Sequence, residues 1–181
     1  MRLGTLTLCA TFLLIAAPGA MQEAQPPAIT EADLQGQWRL RGSVGAAEQR
    51  RNSAIERATE DMSIFTRGIA RRRLRNGTPI HRTLSFGGEG ATFRAHVGPY
   101  HLEFAPNGRG HAYTDPIGGD DMRASMRIRN RRLTQVYRND DATLTHTVML
   151  SNDGQRITLT IRIASHHLPG DVVYRTTYAR S

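Results

Sequence analysis

The chain is 181 residues long, carries a formal net charge of +8 and has a single cysteine. All 24 of its basic residues are arginine and none is lysine, which reads as the compositional bias of a GC-rich coding sequence rather than as selected nucleic-acid binding. One cysteine excludes a disulfide framework, and its place near the start of the chain removes thiol chemistry once that segment is cut.

Residues 1–20 have the three parts of a secretory signal peptide in order: a positive start at Arg2, an apolar run from Leu6 to Ala17, and the small-residue tail Ala16-Ala17-Pro18-Gly19-Ala20. The run is shorter than the roughly 20 apolar residues that cross a bilayer. Cleavage after Gly19 or Ala20 removes Cys9, and the expected location is the periplasm or the extracellular space, with no nucleic acid as partner. Residues 21–33, with Pro26-Pro27, read as a linker. The remaining residues, 34–181, are enough for one core stabilised by packing alone.

Gly36 to Arg41 alternates Trp38 and Leu40 against Gln37, Arg39 and Arg41, the pattern of a half-buried strand. Across 46–76 the period changes. Ile55, Ala58, Met62, Phe65 and Ile69 recur at steps of three and four and predict a helix with these residues on its core side, ended by Asn76-Gly77 and divisible at Gly68. After Thr78, short alternating runs predict strands at 82–86, 91–97, 100–105, 109–113, 122–128, 133–138, 142–150, 156–163 and 172–180. Turn clusters separate them, among them Gly87-Gly88-Glu89-Gly90, Pro106-Asn107-Gly108 and Asn152-Asp153-Gly154. The fold class expected is mainly β with a helical insertion: an antiparallel up-and-down meander closing into a small barrel, with one long or broken helix after the first strand.

Gly36-Gln37-Trp38 on the first strand, the helical segment directly after it, the meander and an arginine on the last strand resemble the calycin superfamily of lipocalins and fatty-acid-binding proteins. The order of elements also resembles that of the lipocalin-like proteins that bacteria export. The resemblance implies that Trp38 packs at the closed end of the barrel beneath Arg175 or Arg180. A helix directly after the first strand is closer to the fatty-acid-binding layout than to true lipocalins.

For chemistry, the chain has no Gly-x-Ser-x-Gly elbow, no His-Glu-x-x-His pair and no phosphate-cradling loop, so an enzyme has no support and no cofactor is expected. Seven histidines raise the question of a metal, but strand alternation turns His166 and His167 to opposite faces, and none is expected. His146 shares a strand face with Leu144, Val148 and Leu150; with Tyr137, Phe93, Phe104 and Met126 it is a candidate lining of a cavity for a lipid or other small hydrophobic ligand. A second candidate is the arginine cluster Arg67, Arg71, Arg72, Arg73 and Arg75, which suits an anionic envelope surface of lipid or polymer.

Overall fold

The computed structural model describes residues 30–89, 92–129 and 132–181; the expected signal peptide and residues 21–29 of the linker lie outside them. The last three residues of that linker and Leu34 form a short helix, α1 (Glu31–Leu34), capped by Thr30 and Asp33 acting on each other's backbone. The folded part expected from residue 34 thus takes in residues 31–33 as well.

Ten strands follow, β1 (Gly36–Leu40), β2 (Thr83–Glu89), β3 (Thr92–Val97), β4 (Tyr100–Phe104), β5 (His111–Thr114), β6 (Asp121–Arg129), β7 (Arg132–Arg138), β8 (Ala142–Leu150), β9 (Arg156–Ser165) and β10 (Val172–Arg180). They form one antiparallel sheet in the order β4-β3-β2-β1-β10-β9-β8-β7-β6-β5. β2 runs through Gly87 and Gly88 to Glu89, so these three residues of the expected turn belong to the strand. The sheet curls, and its two edge strands, β4 and β5, meet through side chains and not through a backbone ladder.

Alternation fixes which side chains enter. Leu133, Gln135 and Tyr137 of β7, Leu144, His146, Val148 and Leu150 of β8, Ile157, Leu159 and Ile161 of β9, and Val172, Tyr174, Thr176 and Tyr178 of β10 are all buried, while their neighbours face water. The register places Gln135 opposite His146 and His146 opposite Ile161, so a one-residue slip would turn every one of these residues outward. Each fully buried aliphatic or aromatic side chain contributes about 1.5–3 kcal/mol.

Between β1 and β2 lie α2 (Val44–Ala58) and α3 (Ile64–Gly77). The break falls at Thr59–Ser63 and not at Gly68. The Thr59 hydroxyl donates to the Ile55 carbonyl and closes α2, and the Ser63 hydroxyl accepts the Thr66 amide and opens α3. This break also rotates the apolar stripe: Ile55 and Ala58 of α2 are buried, whereas Phe65 of α3 is 90% exposed and Ile69 about half. The expected single core-facing stripe thus ends with α2. Because the strands alternate in direction, the helices and the turns after β3, β5, β7 and β9 all stand at one end of the barrel, the helical end.

Candidate functional site

Beneath the helical end the inner faces of β7, β8 and β10 bring polar side chains into the core. Gln135, Tyr137, His146 and Tyr174 are buried, and the Gln135 amide oxygen and nitrogen, the Tyr137 hydroxyl and His146 Nδ1 have no hydrogen-bond partner among the described residues. Buried polar groups are ordinarily paired, and each one left alone costs about 1–3 kcal/mol. Three such residues, Gln135, Tyr137 and His146, on one side of one interior make a polar patch in a largely apolar barrel.

Aromatic rings surround it. Tyr100 stands 5.0 Å from Tyr137 and 5.3 Å from His146, Tyr137 is 5.5 Å from His146, and Tyr113 is 5.2 Å from Tyr137, centroid to centroid. The space beside His146, expected to open as a cavity, is thus occupied by rings. Clefts do open on the outside: one of about 580 Å³ between α2 and β10, lined by Gln49, Arg50, Arg57 and Arg175, and one of about 500 Å³ over β6 and β7, lined by Arg123, Arg127 and Arg138.

The groups around His146 are uncharged. Burial pushes the His146 imidazole down to about 3, with His81 nearby acting in the same direction, so His146 is neutral at physiological pH. Burial also raises the Tyr137 hydroxyl, and burial followed by the Asp115 carboxylate raises that of Tyr100. Arg51 is the one buried cation among the described residues, and it is already engaged: Nη1 donates to the Thr78 carbonyl, and Nε and Nη2 donate to the Asn52 side chain.

Of the other cavity candidates, Phe93 and Met126 are fully buried in the core, and Phe104 is half-buried at the β4 edge with its ring 4.2 Å from His111. Gln135, Tyr100 and Tyr174 belong to the same interior and were not singled out from sequence, although Gln135 and Tyr174 sit on alternating faces that mark them as inward. His81 lies outside any periodic run. Its ring lies against Gly98, where φ is +62° and a Cβ would come within 2.0 Å of it, so only glycine fits there.

At the other end Trp38 is completely buried and its indole N–H donates to the Leu34 carbonyl at 2.9 Å. Arg180 lies opposite Trp38 in the ladder, with its guanidinium 4.5 Å above the ring, and donates to the Gln35 and Asp33 carbonyls at 2.8 and 2.7 Å. Arg175 takes no part. Two residues past the inward Tyr174 would return it inward, but one residue past turns it to the outer face, where its carbonyl accepts from Arg50.

The arginine cluster of α3 is split in two. Arg67 donates to the Met62 carbonyl, and Arg71 donates to the Thr59 hydroxyl, fastening α3 to the end of α2. At 100° per residue these two share a side with Ala70 and Leu74, which are partly buried, while Arg72 and Arg73 face out beside Phe65 and Ile69, and Arg75 beside Ile64.

His166 and His167 do not point to opposite faces. β9 ends at Ser165, so both lie in the turn that follows, their ring centroids 3.8 Å apart, and both turn Nε2 toward Asp141.

No protein-family model matches the chain, and no curated protein matches it in sequence. Solved structures do. Lipid binding protein 8 of Caenorhabditis elegans superposes with a TM-score of 0.53 at 14% identity, over 84% of this chain and 99% of that one. Fatty-acid-binding protein 1 of Echinococcus granulosus gives 0.51 at 14%, over 82% and 98%. The fluorescent protein UnaG gives 0.52 at 16%, over 84% and 100%. At these identities the likeness is one of fold: ten antiparallel strands curled into a half-open barrel, with helices inserted after the first strand.

Proposed function

We propose that this domain is a non-enzymatic binder of a small, largely apolar molecule, held inside the barrel with a neutral polar end among Gln135, Tyr137 and His146. The observation that carries this reading is the set of buried polar atoms without protein partners, which a ligand hydroxyl, amide or ester would satisfy. Phe93, Met126 and the half-buried Phe104 offer apolar wall on the same interior. A shared fold with proteins named for lipid and fatty-acid binding supports the ligand class. The absence of a free cation among the described inward residues favours a neutral end over a carboxylate, because an unpaired anion there would be desolvated without compensation. Tyr100 and Tyr113, which stand on the two edge strands, must turn aside to admit it.

The test is to purify the protein under native conditions, extract it for mass spectrometry, and titrate it with a long-chain alcohol and the matching fatty acid while following tyrosine and tryptophan fluorescence. The alcohol is expected to bind more tightly than the acid, and His146→Phe with Gln135→Leu to weaken it. Release of no organic molecule together with no binding of either probe sinks the reading.

A second reading has its own observation: Phe65 is 90% exposed on the side of α3 that carries Arg72 and Arg73, and Ile64, 83% exposed, lies beside Arg75. Apolar side chains flanked by cations suit the boundary of an anionic lipid surface, each arginine near it contributing about 1 kcal/mol. Sedimentation with anionic vesicles tests it. Binding unchanged by Phe65→Ser combined with Arg72→Ser and Arg73→Ser counts against it.

Export belongs to the proposal as well. The leader at 1–20 and the cysteine-free remainder support a periplasmic or extracellular location. A secreted product whose mass begins at Ala20 or Met21 is the expected outcome.

A further inference from the structure

The turn between β7 and β8 and the turn between β9 and β10 stand side by side at the helical end, because Ala142 at the start of β8 pairs with Ser165 at the end of β9. Asp141 immediately precedes the first of these residues, and His166 and His167 immediately follow the second. The turns hold them there: the Asn139 side chain accepts the Asp141 amide at 3.1 Å, and the Ser165 hydroxyl accepts the His167 amide at 3.2 Å.

One Asp141 carboxylate oxygen lies 3.5 Å from His167 Nε2 and 3.9 Å from His166 Nε2, and the three groups offer ligand atoms all within 4.8 Å of one another. Both separations exceed a hydrogen bond, whose donor and acceptor lie about 2.7–3.2 Å apart. They are nearer the spacing of two atoms bound to one ion, since ligands at about 2.1 Å in a tetrahedral shell stand roughly 3.4 Å apart. Both imidazoles present the same nitrogen, and both are exposed, so an ion and its remaining waters have room.

We propose that Asp141, His166 and His167 form a site for one divalent transition-metal ion, of which zinc is the first candidate. Two imidazoles and one carboxylate suit a borderline ion better than calcium or magnesium, which prefer all-oxygen shells. Three protein ligands leave positions for water or an exogenous donor, and the bound ion ties the β7–β8 turn to the β9–β10 turn. This site is independent of the barrel interior and stands or falls without it.

The experiment is a calorimetric titration of the untagged, metal-stripped chain with zinc chloride at pH 7.5, beside magnesium chloride. One zinc per chain, no heat with magnesium, and a dissociation constant raised about tenfold or more by Asp141→Ala, His166→Ala or His167→Ala are expected. A second histidine pair makes the control: His96 and His101 stack at 3.9 Å on the outer face of β3 and β4, and His96→Gln with His101→Gln should leave binding unchanged. Nickel in place of zinc should broaden the proton resonances of residues 141 and 165–167 before any others. Absence of binding, binding that survives the three substitutions, or binding abolished by the control overturns the proposal.

Discussion

The barrel closes along two seams, β1 with β10 and β4 with β5, and they are joined differently. At the junction of β1 with β10 the backbone ladder is continuous: Trp38, Arg39 and Leu40 pair with Arg180, Ala179 and Tyr178, and the amides of Arg41 and Ser181 extend it to the carbonyls of Thr177 and Gln37. Trp38 fills it from inside, and Arg180, on the same face of the ladder at the end of β10, covers the Trp38 ring. At the junction of β4 with β5 the His101 amide donates to the Tyr113 hydroxyl at 3.2 Å, and the Phe104 and His111 rings meet. A ladder cannot part without stripping several amides and carbonyls at once, whereas a junction of side chains parts by changing rotamers. The first junction defines the fold, and the second is where it can open.

Breaking the firm junction should cost most. Trp38→Ala removes a fully buried ring and is expected to destabilise by about 3–5 kcal/mol in urea unfolding. A loss under about 1 kcal/mol would mean that the ladder alone closes that side.

Acid tests the other side, where His146 touches Tyr100 and Tyr137. Its folded value, about 3, lies below the unfolded value of 6.5, so the unfolded chain takes up the proton first. Stability from this group is full above pH 6.5 and falls as pH drops toward 3, by about 1.4 kcal/mol per unit, or about 2 kcal/mol by pH 5. His146→Phe should flatten that slope in unfolding curves taken from pH 7 to 4.5.

Tyr113→Phe deletes the acceptor for His101 and is expected to cost about 1 kcal/mol. Its sharper sign is faster hydrogen exchange at the His101 amide with no change at the amide of Arg180. The smallest effect belongs to Arg180→Lys, about 0.5–1 kcal/mol, since lysine keeps the charge over Trp38 but loses the fork that reaches two carbonyls. Equal exchange rates at the two junctions in the wild-type protein would abolish the comparison.

The strands were legible in the sequence because each has one wet face: Ile157, Leu159 and Ile161 against Arg156, Thr158 and Arg162 leave one solution. The pairing of Trp38 with a last-strand arginine was legible only to the choice between Arg175 and Arg180, which alternation from Tyr174 decides once the strand's inner face is known. The helix break was missed because Gly68 is the stronger breaker by propensity, while Ser63 and Thr59 act through side-chain caps that depend on geometry. The His166–His167 pair was misjudged for a related reason, as alternation holds only while the strand lasts. His81 and Tyr100 reach His146 from elsewhere in the chain, and no local period announces such a meeting.

The continuous ladder between β1 and β10 has a further consequence for connectivity. In space the sheet is a single sequential ribbon that starts at β5, runs to β10, passes into β1 and ends at β4. Joining residue 181 to residue 30 by a short linker and cutting the chain within 105–110 would give a protein whose gene order equals its spatial order. In that circular permutant the new termini would lie at the looser junction, and the firm one would become an ordinary neighbour contact.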